Sequence, residues 1–245
     1  MLAYHAIADL GDDPVLADYS VPPARFAEQL DELSRTGWAF VGLDAVLGAL
    51  QGGRSLPPRA ILLTFDDAYV DLLEAACPVL VERGIPAVVF AVAEHVGGTN
   101  VWDRGEGATT LDLLDGAGLQ AAFAQGVEVG AHSSTHPSLP DVPAGRLGGE
   151  LAGAADRLEA IGLPRPRAFC YPYGHWNADV ARSARDAGYE VAFTIEWGVV
   201  RGDSDPFALP RVEVHAGDTP RRLRLKLALA SWPRPAREGL RRLLR

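Results

Sequence analysis

With 245 residues, 48% of them apolar and 22% charged, the chain has the composition of a soluble globular protein and can bury a sizeable core. That length is long for one β-sandwich and ordinary for one α/β barrel. A net charge of -9 argues against nucleic acid as a partner of the whole molecule. Taken in order, residues 2–4 predict a strand and residues 22–36 a helix, with Phe26, Leu30 and Leu33 at helical spacing. A short strand over 39–41 and a short helix over 43–50 lead to Pro57-Pro58, which closes a loop. Residues 60–65 predict a buried strand, 69–83 a helix stopped by Gly84 and Pro86, and 87–93 another buried strand. The polar, Gly-rich stretch 97–108 is expected to be a loop, 111–125 a helix, and 127–129 a strand. A helix over 144–161, with Asp141 or Pro143 near its start, precedes a strand over 167–171. A helix over 177–187 ends at Gly188, and strands follow at 191–194 and 212–214. Alternation repeated this often implies a parallel sheet covered by helices, and six to eight repeats suit a closed barrel better than an open sheet. No domain linker or internal repeat interrupts the pattern.

In such folds chemistry gathers at the C-terminal ends of strands. Thr64-Phe65-Asp66-Asp67 ends one apolar run, His132-Ser133-Ser134-Thr135-His136 follows a second, and Tyr171-Pro172-Tyr173-Gly174 a third. Two adjacent carboxylates at a strand end can divide their work, one facing a cation and the other the water beside it. Two imidazoles four residues apart fall on one side of a helical turn or tight loop, the geometry of a ligand pair. Separately, the acids could cap a helix starting near Ala68, and the histidines could be surface or capping residues. Together they form the inventory of metal-assisted acyl hydrolysis: a few N/O ligands, an open position for water and a spare base. Cys77 and Cys170 make no C-x-x-C pair and no disulfide framework. No secretory signal is read, and the longest apolar run, 87–93, is too short for a bilayer, so a cytoplasmic location is expected unless an export signal lies outside this sequence.

These motifs, with Leu2-Ala3-Tyr4-His5, Asn100-Val101-Trp102-Asp103, Gly130-Ala131-His132, Phe169-Cys170 and Leu209-Pro210-Arg211-Val212, resemble the polysaccharide deacetylase family (NodB-homology domain, carbohydrate esterase family 4). The likeness runs from Leu2 to about Val214 and is nearest to the circularly permuted poly-N-acetylglucosamine deacetylase branch. It implies a distorted (β/α)7 barrel and removal of acetyl from an N-acetylated amino sugar or polysaccharide. It also implies that Asp67, His132 and His136 hold a divalent metal, usually zinc, with cobalt or nickel as alternatives for this donor set. By the same resemblance Asp66 is the general base, and the Tyr173 backbone N–H is an oxyanion donor beside the metal. His5 fits the branch's general acid, and His215 is its rival.

Three departures from the family pattern stand out. Ala68 replaces a glycine, from which an ordinary backbone is expected because alanine disfavours positive φ. Cys170 stands where many members have an arginine; Arg211 could instead hold Asp66 by a bidentate contact, or could form a surface salt bridge. The family's Asp-x-x-Trp motif has no clear copy, leaving Trp197 either to do similar apolar work or to be core. Trp102 and Asp103 could contact sugar or anchor their loop. Rival readings are an O-acetyl esterase, a phosphatase with Asp66 as nucleophile, and a carbohydrate-binding pseudoenzyme.

Residues 1–218 read as the catalytic domain and 219–245 as a basic amphipathic extension. Nine of the 23 basic residues but one of the 32 acids, Glu238, lie in that extension, which puts it near +8 and the body near −17. The extension could meet anionic lipid headgroups as a peripheral membrane contact, or pack on the acidic body and neutralise it.

Overall fold

The computed structural model describes residues 1–53 and 55–232. In chain order the main elements are β1 (Leu2–Tyr4), α1 (Pro23–Arg35), β2 (Ala39–Phe40), α2 (Leu43–Leu50), β3 (Ala60–Ile61), β4 (Leu63–Phe65), α3 (Cys77–Arg83), β5 (Ala87–Ala91), α4 (Gly116–Ala124), β6 (Val127–Ala131), α5 (Ala144–Ala160), β7 (Ala168–Cys170), α6 (Ala178–Asp186), β8 (Val191–Trp197), β9 (Leu209–Glu213) and α7 (Pro220–Ala230). Strands β1, β4, β5, β6, β7, β8 and β9 close into a parallel barrel, with β1 pairing both β4 and β9. This is the distorted (β/α)7 architecture. The distortion comes from the small β2–β3 sheet inserted between β1 and β4, and from a β8–β9 connection that carries no helix.

Strand side chains alternate between two apolar clusters, as the period of two requires. Leu2, Tyr4, Leu63, Phe65, Val89, Val129, Phe169 and Val212 face the helices, where Phe26, Leu30 and Leu33 of α1 and Leu151 and Leu158 of α5 meet them. Leu62, Val88, Phe90, Ala168, Cys170, Phe193 and Leu209 fill the barrel interior, and Leu43, Val46 and Leu47 of α2 plug one end of it. Gly130 must lack a side chain, because a Cβ there would sit 2.6 Å from the Phe90 ring.

Local chemistry sets the helix ends. The Asp115 carboxylate accepts the Gly118 N–H to start α4, Asn177 does the same for two N–H groups of α6, and Thr219 accepts the Arg222 N–H ahead of Pro220 in α7. Gly84, at φ 60°, ends α3.

Four expected elements differ. The 60–65 strand is two pieces: Ala60–Ile61 pairs with β2 outside the barrel, and only Leu63–Phe65 enters it. The 69–83 helix begins late, as a π-helical turn over Leu72–Ala76. Pro78 has no N–H to donate back into the ladder there, which accounts for the wider turn. The 111–125 helix starts only at Gly116; Asp112 and Leu113 instead make bridges to Thr99 and Tyr69. The loop expected over 97–108 contains a 3-10 turn, Val101–Glu106.

The described part of the basic extension is α7. Its Leu223, Leu227 and Ala230 are buried in the same core as α1. Its cations meet acids of the body: Arg224 reaches Glu32 at 2.8 Å, and buried Lys226 reaches Asp218 at 2.5 Å. Residues 233–245, with the remaining arginines of the extension, lie outside the described residues. No helix among the described residues is long and apolar enough to cross a membrane.

Candidate active site

The barrel's inward alternation continues past the strand ends and delivers the chemistry. Asp66 follows Thr64 on β4, and its N–H still bonds the Tyr4 carbonyl of β1 at 2.9 Å. His132 follows Gly130 on β6, its N–H bonding the Ala91 carbonyl of β5 at 2.9 Å. His5 follows Ala3 on β1, and Arg211 lies within β9. His5, Asp66 and His132, with Asp67, His136, Trp102, Tyr173, Ile195 and Glu213, line one cleft of about 320 Å³, and Arg211 reaches it through Asp66.

Arg211 is fully buried and grips Asp66 with two hydrogen bonds, Nη1 to Oδ1 at 2.7 Å and Nη2 to Oδ2 at 2.8 Å. Its remaining donors go to the Thr194 carbonyl, to Thr64 Oγ1 and, at 3.0 Å, to Cys170 Sγ. Burial alone pushes the Asp66 carboxyl up, but the Arg211 charge and its hydrogen bonds outweigh it and hold the acid well below the usual carboxylate range. Asp66 is therefore held in its ionised form. His5 Nε2 lies 3.9 Å from Asp66 Oδ2; burial lowers the imidazole, and Asp66 and Glu213 oppose that shift. His215, the rival acid, turns instead to Asp18 at 3.0 Å and is not among the cleft residues.

Asp67 Oδ1 sits 3.6 Å from His132 Nε2 and 3.5 Å from His136 Nε2. This oxygen is buried and has no hydrogen-bond partner among the described residues. Burial, then the neighbouring Asp66 and Asp103 charges, raise its carboxyl well above the normal range. Burial lowers His132 to about 4 and takes His136 well below the usual imidazole value, so both rings are neutral. Two neutral imidazoles and an orphaned carboxylate oxygen, all aimed at one point, fit a divalent cation. His132 Nδ1 donates to the Cys170 carbonyl at 2.8 Å, which leaves Nε2 as the ligand atom. A second trio, Asp66, His132 and Cys170, has similar spacing, but the Arg211 guanidinium already occupies two of its members.

Holding this arrangement strains the backbone. Asp67, Ala68, Ser133, His136 and Tyr173 all have positive φ, between 57° and 71°. The ordinary backbone expected at Ala68 is thus overturned: its φ is 61°, and no helix starts there for the aspartates to cap. The loop between the histidines is clamped by Glu150 of α5, a buried carboxylate that accepts the Ser134 and Thr135 N–H groups and the Thr135 hydroxyl. Tyr173 stands at the cleft mouth, 44% exposed, in a turn closed by Gly174. A Cβ at Gly174 would lie 2.3 Å from Ile195, so only glycine lets this turn reach β8.

The sequence reading assigns no role to Glu150, Thr64 or Glu213. Glu150 had a readable signal, a lone acid three residues after Leu147 on the apolar stripe of its helix. Trp102 stacks on His136, centroids 4.5 Å apart, while Trp197 is a partly buried residue packed on the outer core.

A sequence model of the family described as polysaccharide deacetylase matches residues 53–192, more than half of the chain. The chain belongs to the polysaccharide deacetylase family. The poly-beta-1,6-N-acetyl-D-glucosamine N-deacetylase of Staphylococcus epidermidis is 25% identical over 217 residues, spanning 85% of this chain and 72% of that protein. The solved structure of IcaB from Ammonifex degensii superposes with a TM-score of 0.75 at 27% identity, over 87% of this chain and 90% of that one. The Streptococcus pyogenes deacetylase PplD, solved in complex with acetate, shares the fold, with a TM-score of 0.77 at 21% identity over 92% and 96% of the two chains. Family membership sets aside the phosphatase reading, which also left His132 and His136 unexplained.

Proposed function

We propose that this polysaccharide deacetylase family member is a zinc-dependent N-deacetylase of β-1,6-linked N-acetylglucosamine chains, with Asp66 as base and His5 as acid. The observation that carries the reading is the orphaned Asp67 Oδ1, facing His132 Nε2 and His136 Nε2 beside an Asp66 locked by Arg211. The printed activity of the Staphylococcus relative supports the substrate class. Asp67, His132 and His136 would hold the cation. When bound, it would acidify a water toward a pKa of about 7 and polarise the acyl oxygen. Asp66 accepts the water's proton on the edge that faces the cleft, and Arg211 fixes the direction of that edge. The Tyr173 backbone N–H faces the developing oxyanion as a second donor. His5 Nε2 protonates the departing amine; burial lowers its imidazole, and the Asp66 carboxylate beside it opposes that shift.

The test is acetate release from β-1,6-linked N-acetylglucosamine oligomers, a nucleotide-linked N-acetyl sugar and an O-acetyl ester, with Asp66→Asn and a chelator as controls. Release from the oligomers that both controls abolish is expected. Release from the ester alone would make the protein an esterase. No release from a stoichiometrically metal-loaded protein would make it a carbohydrate-binding pseudoenzyme.

Peripheral membrane contact belongs to the same proposal. Exposed Leu225 and Trp232 border the same surface groove as Arg221 and Arg224, a chemistry suited to anionic headgroups at the cytoplasmic face. Co-sedimentation with phosphatidylglycerol vesicles, but not with phosphatidylcholine ones, is the expected result, with cell fractionation to test the location.

A further inference from the structure

The two histidines of the Asp67 centre are held in different ways. His132 has a polar brace: its Nδ1 donates to the Cys170 carbonyl at 2.8 Å, which fixes both tautomer and ring plane. Histidine ligands are ordinarily held by such a bond. No such brace for His136 is found among the described residues: its Nδ1 is buried without a hydrogen-bond partner there, and its backbone sits at φ 62°. Aromatic rings enclose it instead. The Trp102 indole stacks on it at 4.5 Å and 26° between planes, and Tyr173 meets it edge-on at 4.7 Å and 71°.

Trp102 is itself well placed to do this. It rides the 3-10 turn Val101–Glu106, leans on His95 at 5.7 Å and packs against the small cluster of Ala6, Tyr69 and Leu113. Asn100 pins the base of that turn, its side chain donating to the Thr109 carbonyl and accepting the Leu111 N–H. An imidazole that ligates a divalent cation gains positive character, and the face of an indole attracts positive charge. The stack is therefore stronger in the loaded centre than in the empty one, and that difference is what raises metal affinity.

We propose that Trp102 is a positioning residue for metal binding: by stacking, it orients His136 as the Cys170 carbonyl orients His132, and so couples the 101–106 turn to the cation. The inference rests on the metal-centre reading above, but it concerns metal affinity, not the acyl substrate. Its test is therefore independent of whether sugar is the substrate.

Equilibrium binding of Zn²⁺ and Co²⁺ to the full chain would be measured by competition with a chromophoric chelator, for the parent, Trp102→Leu and Trp102→Phe. The leucine variant is expected to lose about tenfold in affinity, the low end for removing a ligand's orienting partner. The phenylalanine variant, which keeps an aromatic face, is expected to stay within about threefold of the parent. Quenching of tryptophan emission by Co²⁺ is expected in the parent and largely lost in Trp102→Phe, a signature that a merely structural role would not give. Acetate release by Trp102→Leu should recover in excess Zn²⁺. Equal affinities in parent and leucine variant, or a variant whose only defect is a raised KM, would overturn the proposal and make Trp102 a sugar platform. A parent that binds neither ion would overturn the metal centre, and this inference with it.

Discussion

Arg211 decides what Asp66 can be. A buried carboxylate beside a second acid would ordinarily take up a proton, and the bidentate guanidinium prevents it. A lysine could supply the charge but not the planar fork. Arg211→Lys is therefore expected to lower kcat/KM by about tenfold or more and to move the acid limb of the pH–rate profile to higher pH, because Asp66 loses part of what holds it ionised. A profile whose acid limb stays in place would show that another group sets it. Ala68 makes a different point. At φ 61° it tolerates glycine well and a β-branched residue badly, so Ala68→Val should cost about 2 kcal/mol in a denaturant melt and Ala68→Gly less than about 1 kcal/mol. The candidate site was legible in the sequence because Asp66, Asp67, His132 and His136 sit in compact motifs after apolar runs. The strain at Ala68 was not, because alanine's preferences predict the opposite and only the demands of the surrounding site override them.

Among the elements, α5 has a function its amphipathic pattern hides. Its Leu147, Leu151 and Leu158 pack on the barrel, while Glu150 between them braces the loop from His132 to His136. Glu150→Ala would leave buried N–H groups of that loop without their acceptor, at an expected cost of about 2 kcal/mol in thermal or denaturant unfolding, together with weaker metal binding. Glu150→Gln, which keeps an acceptor oxygen, should lose less on both counts. If the alanine variant bound metal as tightly as the parent, the brace would be structural only. The strands were readable as apolar runs, and α1, α2, α5 and α6 as helices with apolar stripes. The 60–65 run was not divisible by eye, because leaving the barrel at Leu62 is a matter of pairing partner and not of composition. Nor was the late start of the 69–83 helix, where Tyr69 bridges Leu113 and Asp71 turns to another strand's end.

That contact of Asp71 reaches the molecule as a whole. Its carboxylate accepts the Ile7 N–H, just past β1, yet burial outweighs this bond and raises the acid to about 6. The folded protein thus binds this proton more tightly than the unfolded chain does. The stabilising contribution is complete below about pH 4 and is lost as pH rises through about 6, an effect of about 3 kcal/mol. Asp71→Asn should therefore match the parent near pH 4 and exceed its stability at pH 8, in paired denaturant melts; parallel pH curves for the two proteins would refute this. Barrel closure was predictable from the count of alternating elements, whereas the joining of β1 to β9 lies in no local pattern. That seam has a consequence for synthesis. The three residues proposed to hold the cation belong to β4, β6 and their loops, so the ribosome has delivered them all while β7, β8 and β9 are still unmade. Arg211 comes later, on the strand that seals the cylinder. A nascent chain therefore carries Asp66, Asp67, His132 and His136 before Arg211 is there to fix the Asp66 carboxylate.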